Sequence, residues 1–371
     1  PNQTIRVVNP QVDTTAIEHE TSAHIGNADN SLTITDKVSY SGLLGQYEYE
    51  IKGTVVDAET GEPIKVNGQE VTKTEKVFLN KGNGETEMSF TFDATGLEGK
   101  TLVVFEEIYW DGMKVGEHCD LTDEDQSIHL PKVGTSAKDS ETGTNISYAD
   151  GKAIIVDTVT YENVIAGEEY KVTGSLIDKT TGKPIEGATG EAEFTAEDAK
   201  GTVEVTFELD ASELAGKDIV VFETLVWDSH VVGVHNDLED SEQTIEFPKI
   251  GTKAYVEGTD SNIAEPEKDI AIIDTVKYEN IRVSDFVDSA NNTKEFDGDL
   301  PFELAEDLPE DVKVAFMKSI ENGNFDDFVL KGVLMDKETG KPFLADGEEV
   351  TAVGTFAIDK ETGELQIKFP S

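Results

Sequence analysis

Residues 89–137 read SFTFDATGLEGKTLVVFEEIYWDGMKVGEHCDLTDEDQSIHLPKVGTSA. The stretch returns 117 positions later, at residues 206–254, as TFELDASELAGKDIVVFETLVWDSHVVGVHNDLEDSEQTIEFPKIGTKA. Both copies alternate short runs rich in Val, Ile, Phe and Thr with clusters of Gly, Asp, Asn and Lys, and they have almost no 3.6-residue periodicity. This pattern is typical of strands joined by tight turns. It predicts an all-β protein built from repeats.

A second stretch extends the repeat and occurs three times. SLTITDKVSYSGL contains Tyr40, KAIIVDTVTYENV contains Tyr161 and DIAIIDTVKYENI contains Tyr278. Each copy is followed by a strand pattern and then by a D-x-x-T-G-x-P sequence, in which Gly is expected to supply the positive φ of a turn. Strands and turns at this spacing predict a β-sandwich in each repeat.

The repeats divide the chain into four parts. Residues 1–10 match the tail of a preceding repeat, 11–131 and 132–248 are predicted to be complete domains, and 249–371 is predicted to be a partial third repeat with an inserted segment at about 282–326. Within the insertion, DLPEDVKVAFMKSIENG has the apolar spacing of a helix. The short PKVGT and PKIGT links predict domains strung end to end as a rod.

Composition excludes several classes of partner. The 371 residues include 77 acidic and 30 basic side chains, a formal net charge of −47, which disfavours nucleic acid and anionic membrane surfaces. No run of 18 apolar residues is present and PNQTIRVVNP lacks the features of a signal peptide, so no membrane insertion is expected within the sequence. Cys119 is the single cysteine and forms no internal disulfide, so an extracellular domain would need another staple.

Few polar residues remain the same between the two complete copies. A Thr opens each repeat, a Glu lies inside the apolar VVFE strand, and a His, an Asp and a Gln close the repeat. These candidate site residues are Thr14 and Thr135, Glu106 and Glu223, His118 and His235, Asp123 and Asp240, and Gln126 and Gln243.

The glutamate in VVFE suggests the chemistry. A carboxyl facing the core is desolvated and tends to keep a proton, and a second carboxyl nearby strengthens that tendency. We predict that Glu106 shares a proton with Asp123 and that Glu223 shares one with Asp240. Such an acid could activate the side-chain amide of Gln while a neutral His accepts a proton or positions a Thr hydroxyl. Attack of the Thr Oγ on the amide, with loss of ammonia, would give an ester between the first and last strands.

This set of a leading Thr, VxFE, His and D-x-x-Q resembles the intramolecular ester-bond immunoglobulin-like domains, also called VaFE or T-Q repeats, of Gram-positive surface adhesins. The resemblance covers residues 11–248 and the front of the third copy. It implies CnaB-like sandwiches with autocatalytic esters between Thr14 and Gln126 and between Thr135 and Gln243. It also implies a single-turnover reaction and no enzyme activity on other substrates, with no cofactor and no metal.

The resemblance further implies where the protein works. The expected role is the stalk of an adhesin on the extracellular, cell-wall-anchored surface of a Gram-positive bacterium. Its expected partners are neighbouring repeats of the same protein, and a host ligand would bind a domain outside this sequence; the chain is expected to be a monomer. Thr252 and Gln3 are expected to stay unpaired, because their reaction partners are not in the sequence.

The sequence also bears on alternative functions, cross-links and site residues. Repeats that themselves bind a host protein or glycan would be favoured by exposed aromatics, and Trp110 and Trp227 recur in the two copies. A Lys to Asn isopeptide bond is disfavoured, since Gln occupies both closing positions. Thr158 is excluded because its counterpart is Lys37. If Glu106 were not the acid, the next candidates would be Glu107 and Asp120; no enzyme motif such as GxSxG or HExxH is present.

Overall fold

The computed structural model describes residues 9–264, 270–281, 314–315, 318, 328–358 and 360–370. Gln3 and most of the inserted segment lie outside these residues, as does most of its predicted helix, of which Val314, Ala315 and Lys318 are described as helical. The described parts of the chain form two compact units. The first comprises Pro1–Asn145, Ile154–Leu209 and Ile219–Thr244, and the second comprises Ile146–Ala153, Asp210–Asp218 and Ile245–Ser371.

The first repeat is a sandwich of two antiparallel sheets. Its strands are β1 (Gln11–Glu18), β2 (Leu32–Ser41), β3 (Tyr47–Asp57), β4 (Lys65–Val66), β5 (Gln69–Glu70), β6 (Thr72–Leu79), β7 (Gly84–Phe92), β8 (Thr101–Trp110), β9 (Met113–His118) and β10 (Ser127–His129). One sheet has the order β1-β2-β7 and the other the order β10-β8-β3-β6, with β9 also paired to β8. A 3-10 turn, Glu124–Gln126, leads into β10.

The second repeat has the same two-sheet plan. Its strands are β11 (Lys132–Asp139), β12 (Ala153–Glu162), β13 (Glu169–Asp178), β14 (Lys183–Thr195), β15 (Lys200–Leu209), β16 (Lys217–Trp227), β17 (His230–His235) and β18 (Thr244–Phe247). The sheets are β11-β12-β15 and β14-β13-β16-β17, with β18 also paired to β16. The predicted all-β class with tandem sandwich repeats is confirmed.

The third repeat contributes fewer strands among the described residues. These are β19 (Lys249–Val256), β20 (Ile272–Glu279), β21 (Phe328–Val333), β22 (Leu344–Ala345), β23 (Glu348–Glu349), β24 (Thr351–Phe356) and β25 (Gly363–Phe369). They form a β19-β20-β25 sheet, a β21-β24 pair and a β22-β23 hairpin.

Alternation along the strands decides which side chains face the core. In β2 the buried positions are occupied by Leu32, Ile34, Val38 and Tyr40, but also by Asp36. In β8 the buried Leu102, Val104 and Ile108 flank Glu106. Successive side chains of a strand point to opposite faces, so both carboxyls lie on core-facing rows. Two acidic groups are therefore placed inside an apolar sandwich.

The D-x-x-T-G-x-P sequences form the predicted turns. Gly61 has a φ of 69°, and the equivalent Gly182 and Gly340 have φ values of 64° and 65°. Asp57 stabilises the first turn because its Oδ1 accepts hydrogen bonds from the backbone N–H groups of Glu59 and Thr60 at 2.9 and 3.2 Å. The prediction that Gly supplies a positive φ here is confirmed.

Candidate ester cross-link site

The site of the first repeat lies between the two sheets. Thr14 on β1 and Asp36 on β2 belong to one sheet, and Glu106 on β8 belongs to the other. Gln126 ends the 3-10 turn that precedes β10, and β1 contacts this turn. Thr14 is 3% exposed, while the other three side chains are fully buried. A bond between Thr14 and Gln126 would connect the two sheets.

Gln126 is held directly against the acid. Its Nε2 donates a hydrogen bond to Glu106 Oε2 at 2.9 Å. The nitrogen of this amide, which would leave as ammonia, therefore faces the carboxyl group. The 3-10 turn positions the glutamine, since Asp123 caps it by accepting a hydrogen bond from the Asp125 N–H at 3.0 Å.

Several buried polar atoms of the site have no hydrogen bond within ordinary distance and angle limits, although Thr14 and Asp36 each interact with Glu106 closely enough to shift its pKa. Among the described residues they are Thr14 Oγ1, both carboxylate oxygens of Asp36, Glu106 Oε1 and Gln126 Oε1. A buried polar group without a partner costs about 1–3 kcal/mol, and more when it is charged. These polar atoms are concentrated around the Gln126 amide and the Thr14 hydroxyl, which indicates a reactive site, because ordinary core packing pairs its buried polar groups.

Two carboxyl groups meet at the centre of the site. Burial first, and then the charge of Asp36 and a hydrogen bond with it, raise the pKa of Glu106 far above its ordinary value. Burial also raises the pKa of Asp36, although Glu106 and His118 work in the opposite direction. Two ionised carboxylates cannot share a hydrogen bond, so the arrangement holds one proton between them at neutral pH. The upward shift of the pKa is the larger one at Glu106, where burial and the charge of Asp36 act in the same direction.

The predicted pairing of Glu106 with Asp123 is wrong. Asp123 Oδ2 instead lies 2.7 Å from His118 Nε2. His118 is paired with Glu106 across strands β8 and β9, and this pairing places His118 next to the site. The predicted Glu223–Asp240 pairing fails for the same reason, since Asp240 Oδ2 lies 3.0 Å from His235 Nε2. In each repeat the closing Asp therefore contacts the His, and the carboxyl that pairs with the Glu belongs to a different aspartate.

Asp36 and its counterpart Asp157 are the site residues that sequence reasoning missed. The signal was present in the repeated stretches TDKVSY, VDTVTY and IDTVKY, which all carry an aspartate at the same place: Asp36, Asp157 and Asp274. Strand alternation placed this residue on the same face as the apolar ones. An invariant charged residue on a core-facing row of all three copies was sufficient to single it out.

The second repeat reproduces the site. Gln243 Nε2 donates to Glu223 Oε2 at 2.8 Å, and both side chains are buried. Burial, followed by the charge of Asp157 and a hydrogen bond with it, raises the pKa of Glu223. The Thr135 hydroxyl lowers the pKa of both Asp157 and Glu223, against the larger effect of burial. The same polar atoms lack a hydrogen bond of normal geometry: Thr135 Oγ1, both oxygens of Asp157, Glu223 Oε1 and Gln243 Oε1.

The tryptophans are engaged within their own repeats. The Trp110 ring contacts Tyr47 edge-on, with 5.5 Å between ring centroids. Trp227 Nε1 donates to Glu168 Oε2 at 3.2 Å. Both indoles are half-buried at the β8-β9 and β16-β17 hairpins. These contacts are those of structural aromatics.

Neither a membrane span nor a metal site is found in the described part of the chain. None of its helices has both the length and the apolar character that crossing a bilayer requires. No cluster of three or more His, Cys, Asp or Glu side chains is arranged to hold a metal ion among the residues described.

Fold and site together define a class: a β-sandwich repeat that buries a threonine, a glutamine and a proton-sharing acid pair between its sheets. The T-Q ester bond containing domain is the family whose model matches, at residues 10–130, 131–247 and 248–286. These segments cover more than half of the chain, which therefore belongs to this family. No curated protein matches the chain.

The solved structures that match the chain have low sequence identity to it. A bacterial adhesin from Mobiluncus mulieris containing intramolecular disulfide, isopeptide and ester bond cross-links is 15% identical, covering 68% of this chain and 90% of that one, with a TM-score of 0.29. The C-terminal domain of the Streptococcus agalactiae AgI/II polypeptide BspA is 8% identical, covering 61% of this chain and 100% of that one, with a TM-score of 0.30. TM-scores this low carry no functional argument.

Proposed function

We propose that each complete repeat, residues 11–131 and 132–248, forms an autocatalytic ester between its first strand and its closing glutamine. The bonds join Thr14 to Gln126 and Thr135 to Gln243. Each forms once and is not turned over, so the repeats act on no other substrate. The observation that carries this proposal is the buried, proton-sharing carboxyl pair placed against the glutamine amide, found with the same geometry in both repeats.

The positions of the groups suggest a route for the protons. Thr135 lies beside Asp157, whose carboxylate takes the hydroxyl proton as Oγ1 attacks the Gln243 side-chain carbonyl carbon. Glu223 faces the amide nitrogen and delivers its proton there, so that the nitrogen leaves as ammonia. One C–O bond forms and one C–N bond breaks, and the carboxyl pair ends the reaction still holding one proton. Asp36, Glu106 and Gln126 have the equivalent parts in the first repeat.

The histidines act from the edge of the site. His118 lies 2.7 Å from Asp123, and its charge lowers the pKa of Asp36. In this proposal His118 and His235 favour the ionised form of the aspartate that acts as the base. Asp123 and Asp240 hold these histidines in place, and Asp123 also caps the turn that carries the glutamine.

We further propose that the chain is a stalk segment of an adhesin on the cell-wall-anchored, extracellular surface of a Gram-positive bacterium. A covalent bond between Thr14 and Gln126 would carry tension across the sandwich without unzipping its sheets. Cys119 is the only cysteine in the sequence, so the ester takes the role that disulfides have in other secreted domains. The proposed stalk segment would work as a monomer, and a ligand would bind a domain other than these repeats.

The experiment is an intact mass measurement of the purified chain. Two esters make the protein lighter than its sequence mass by two molecules of ammonia, and Gln243→Ala should restore one of them. A folded protein with its full sequence mass would refute the ester. The alternative function, repeats that bind a host protein or glycan, gains no support from Trp110 and Trp227, since both contact residues of their own repeat.

A further inference from the structure

An asparagine with left-handed backbone geometry follows the second strand of two repeats. Asn163, directly after β12, has a φ of 60°, and Asn280, directly after β20, has a φ of 57°. The first repeat has Gly42 at this position, with a φ of 75°. A Cβ at Gly42 would lie 2.4 Å from Asn9 O, so no other residue fits there without a shift of the backbone. Only the second and third repeats therefore present a side chain at this point.

The side chain of Asn163 reaches into the preceding repeat. Its Nδ2 donates hydrogen bonds to Lys100 O at 2.7 Å and to Leu130 O at 3.3 Å. Its Oδ1 accepts a hydrogen bond from the Thr101 hydroxyl at 2.9 Å. Lys100 and Thr101 lie at the start of β8, and Leu130 is one of the last residues of the first repeat. A single amide therefore contacts two separate segments of the neighbouring domain.

Asn280 makes the same contacts one repeat later. Its Nδ2 lies 3.0 Å from Lys217 O and 3.5 Å from Phe247 O, the counterparts of Lys100 O and Leu130 O. It also donates to Asp218 Oδ1 at 2.7 Å, where the first junction has Thr101. The second junction lies wholly within the second compact unit and the first junction within the first unit. At both junctions the asparagine Nδ2 therefore contacts equivalent carbonyl oxygens of the preceding repeat.

The chemistry of the position requires an amide. The groups facing Nδ2 are carbonyl oxygens and, at Asn280, a carboxylate, so the atom must be a donor. Aspartate would place an acceptor against these acceptors, and glycine would remove the contact while keeping the backbone geometry. Neither Lys100 O nor Leu130 O belongs to the candidate ester site, so the contact does not depend on the cross-link.

We propose that Asn163 and Asn280 are latches that fix each repeat against the one before it. The surface they fit is the start of β8 or β16 together with the closing residues of the preceding repeat. The latch goes beyond the proposed ester, which stabilises a repeat internally and leaves the angle between repeats undetermined.

The test measures the distance between two spin labels by pulsed electron paramagnetic resonance. Labels are attached to Lys65→Cys in the first repeat and Lys200→Cys in the second, two exposed sites, in a chain with Cys119→Ser. The unaltered latch should give one narrow distance distribution. Asn163→Gly should broaden it, with loss of the single narrow peak, because the contact with the first repeat is removed.

Matched variants separate the latch from other effects. Asn67→Gly makes the same change at an exposed turn residue with a φ of 52°, and it should leave the distribution narrow. Asn163→Asp and Thr101→Val should both broaden it, the first by placing acceptor against acceptor and the second from the other side of the contact. Thr101→Val also serves if Asn163→Gly fails to fold. A distribution that stays narrow in both Asn163→Asp and Thr101→Val overturns the latch, while the intact mass of each variant reports the esters separately.

Discussion

β1 of the first repeat and β19 of the third carry related sequences, VDTTA and IGTKA, and pair with their neighbours in the same register. Thr14 stands opposite Val38, and Thr252 stands opposite Val276. Yet Thr14 is buried, whereas Thr252 is exposed. Pairing within one sheet therefore places the threonine but does not bury it. Burial depends on the second sheet, which has five strands in the first repeat and, among the described residues of the third, the β21-β24 pair.

The aspartates differ in the same way. Burial alone raises the pKa of Asp274, while a hydrogen bond from the Lys253 backbone lowers it. Asp36 is fully buried, which raises its pKa, and it faces Glu106 of the opposite sheet, which lowers it. The first and second strands of a repeat thus provide the hydroxyl and one carboxyl, and the other sheet provides the proton-carrying acid and the amide. Among the described residues, the third repeat provides only the hydroxyl and one carboxyl.

The largest expected effect comes from removing the nucleophile. Thr14→Val keeps the shape of the side chain but has no hydroxyl, so the first ester cannot form and the chain should lose only one ammonia from its own sequence mass. Opening a closed loop of this length should lower the free energy of unfolding of the first repeat by about 4–5 kcal/mol. Mass spectrometry and chemical denaturation measure the two effects. Thr252→Val is the matched control and should still lose two ammonia molecules from its own sequence mass; a smaller loss would show that Thr252 takes part in a cross-link.

The variants Asp36→Asn and Asp274→Asn test whether the buried aspartate of the first repeat acts as a base while that of the third repeat does not. The first variant removes the proposed base, so formation of the first ester should slow by about 100-fold or more, the usual contribution of general base catalysis. The rate can be followed by refolding the Asp36→Asn protein that has not yet cross-linked and recording the loss of ammonia by mass spectrometry over time. Asp274→Asn should leave both esters at the wild-type yield. If Asp36→Asn cross-links as quickly as the wild type, the base has been assigned to the wrong carboxylate.

A pH dependence should distinguish the buried pair from the exposed carboxyls. The raised pKa of Glu106 means that the folded state holds a proton that the unfolded state releases above the ordinary glutamate pKa of 4.5. Stability from this group is therefore fully present below that pKa and falls as pH rises, by at most about 1.4 kcal/mol per pH unit. Denaturation of Thr14→Val between pH 5 and 8 should show this decline.

The double variant Thr14→Val, Glu106→Gln provides the control for that pH effect. Gln has no titratable proton, so the decline caused by this site should vanish while the contributions of the other carboxyls remain. Equal slopes for the single and double variants would show that Glu106 does not hold its proton at neutral pH.

The smallest effect is expected at the edge of the site. His118→Gln should slow formation of the first ester without stopping it, since the proton donor and the base remain in place. Because His118 lowers the pKa of Asp36, the pH below which the first reaction slows should move upward in this variant. The second repeat, with His235 intact, supplies an internal reference in the same mass spectrum.

Much of the fold and site could be predicted from internal repetition. Fixed polar residues between two copies identified Thr14, Glu106, His118 and Gln126, because most surface positions change from one copy to the next. The partner of the acid was predicted wrongly, since nearness in the sequence favoured Asp123. Asp123 lies three residues before Gln126 and is engaged in capping its turn and contacting His118.

The sequence by itself determined the repeats, the strands, their turns and the residue types needed for an ester. Local patterns suffice for these features, because strand alternation and turn conformation depend on neighbouring residues. Only the tertiary structure decided that Asp36 and Glu106 form the acid pair, and that Asn163 contacts the preceding repeat. Those contacts join residues far apart in the chain, and they arise where two sheets, or two repeats, pack against each other. Strand patterns report which face is buried, but not which residue lies across the core.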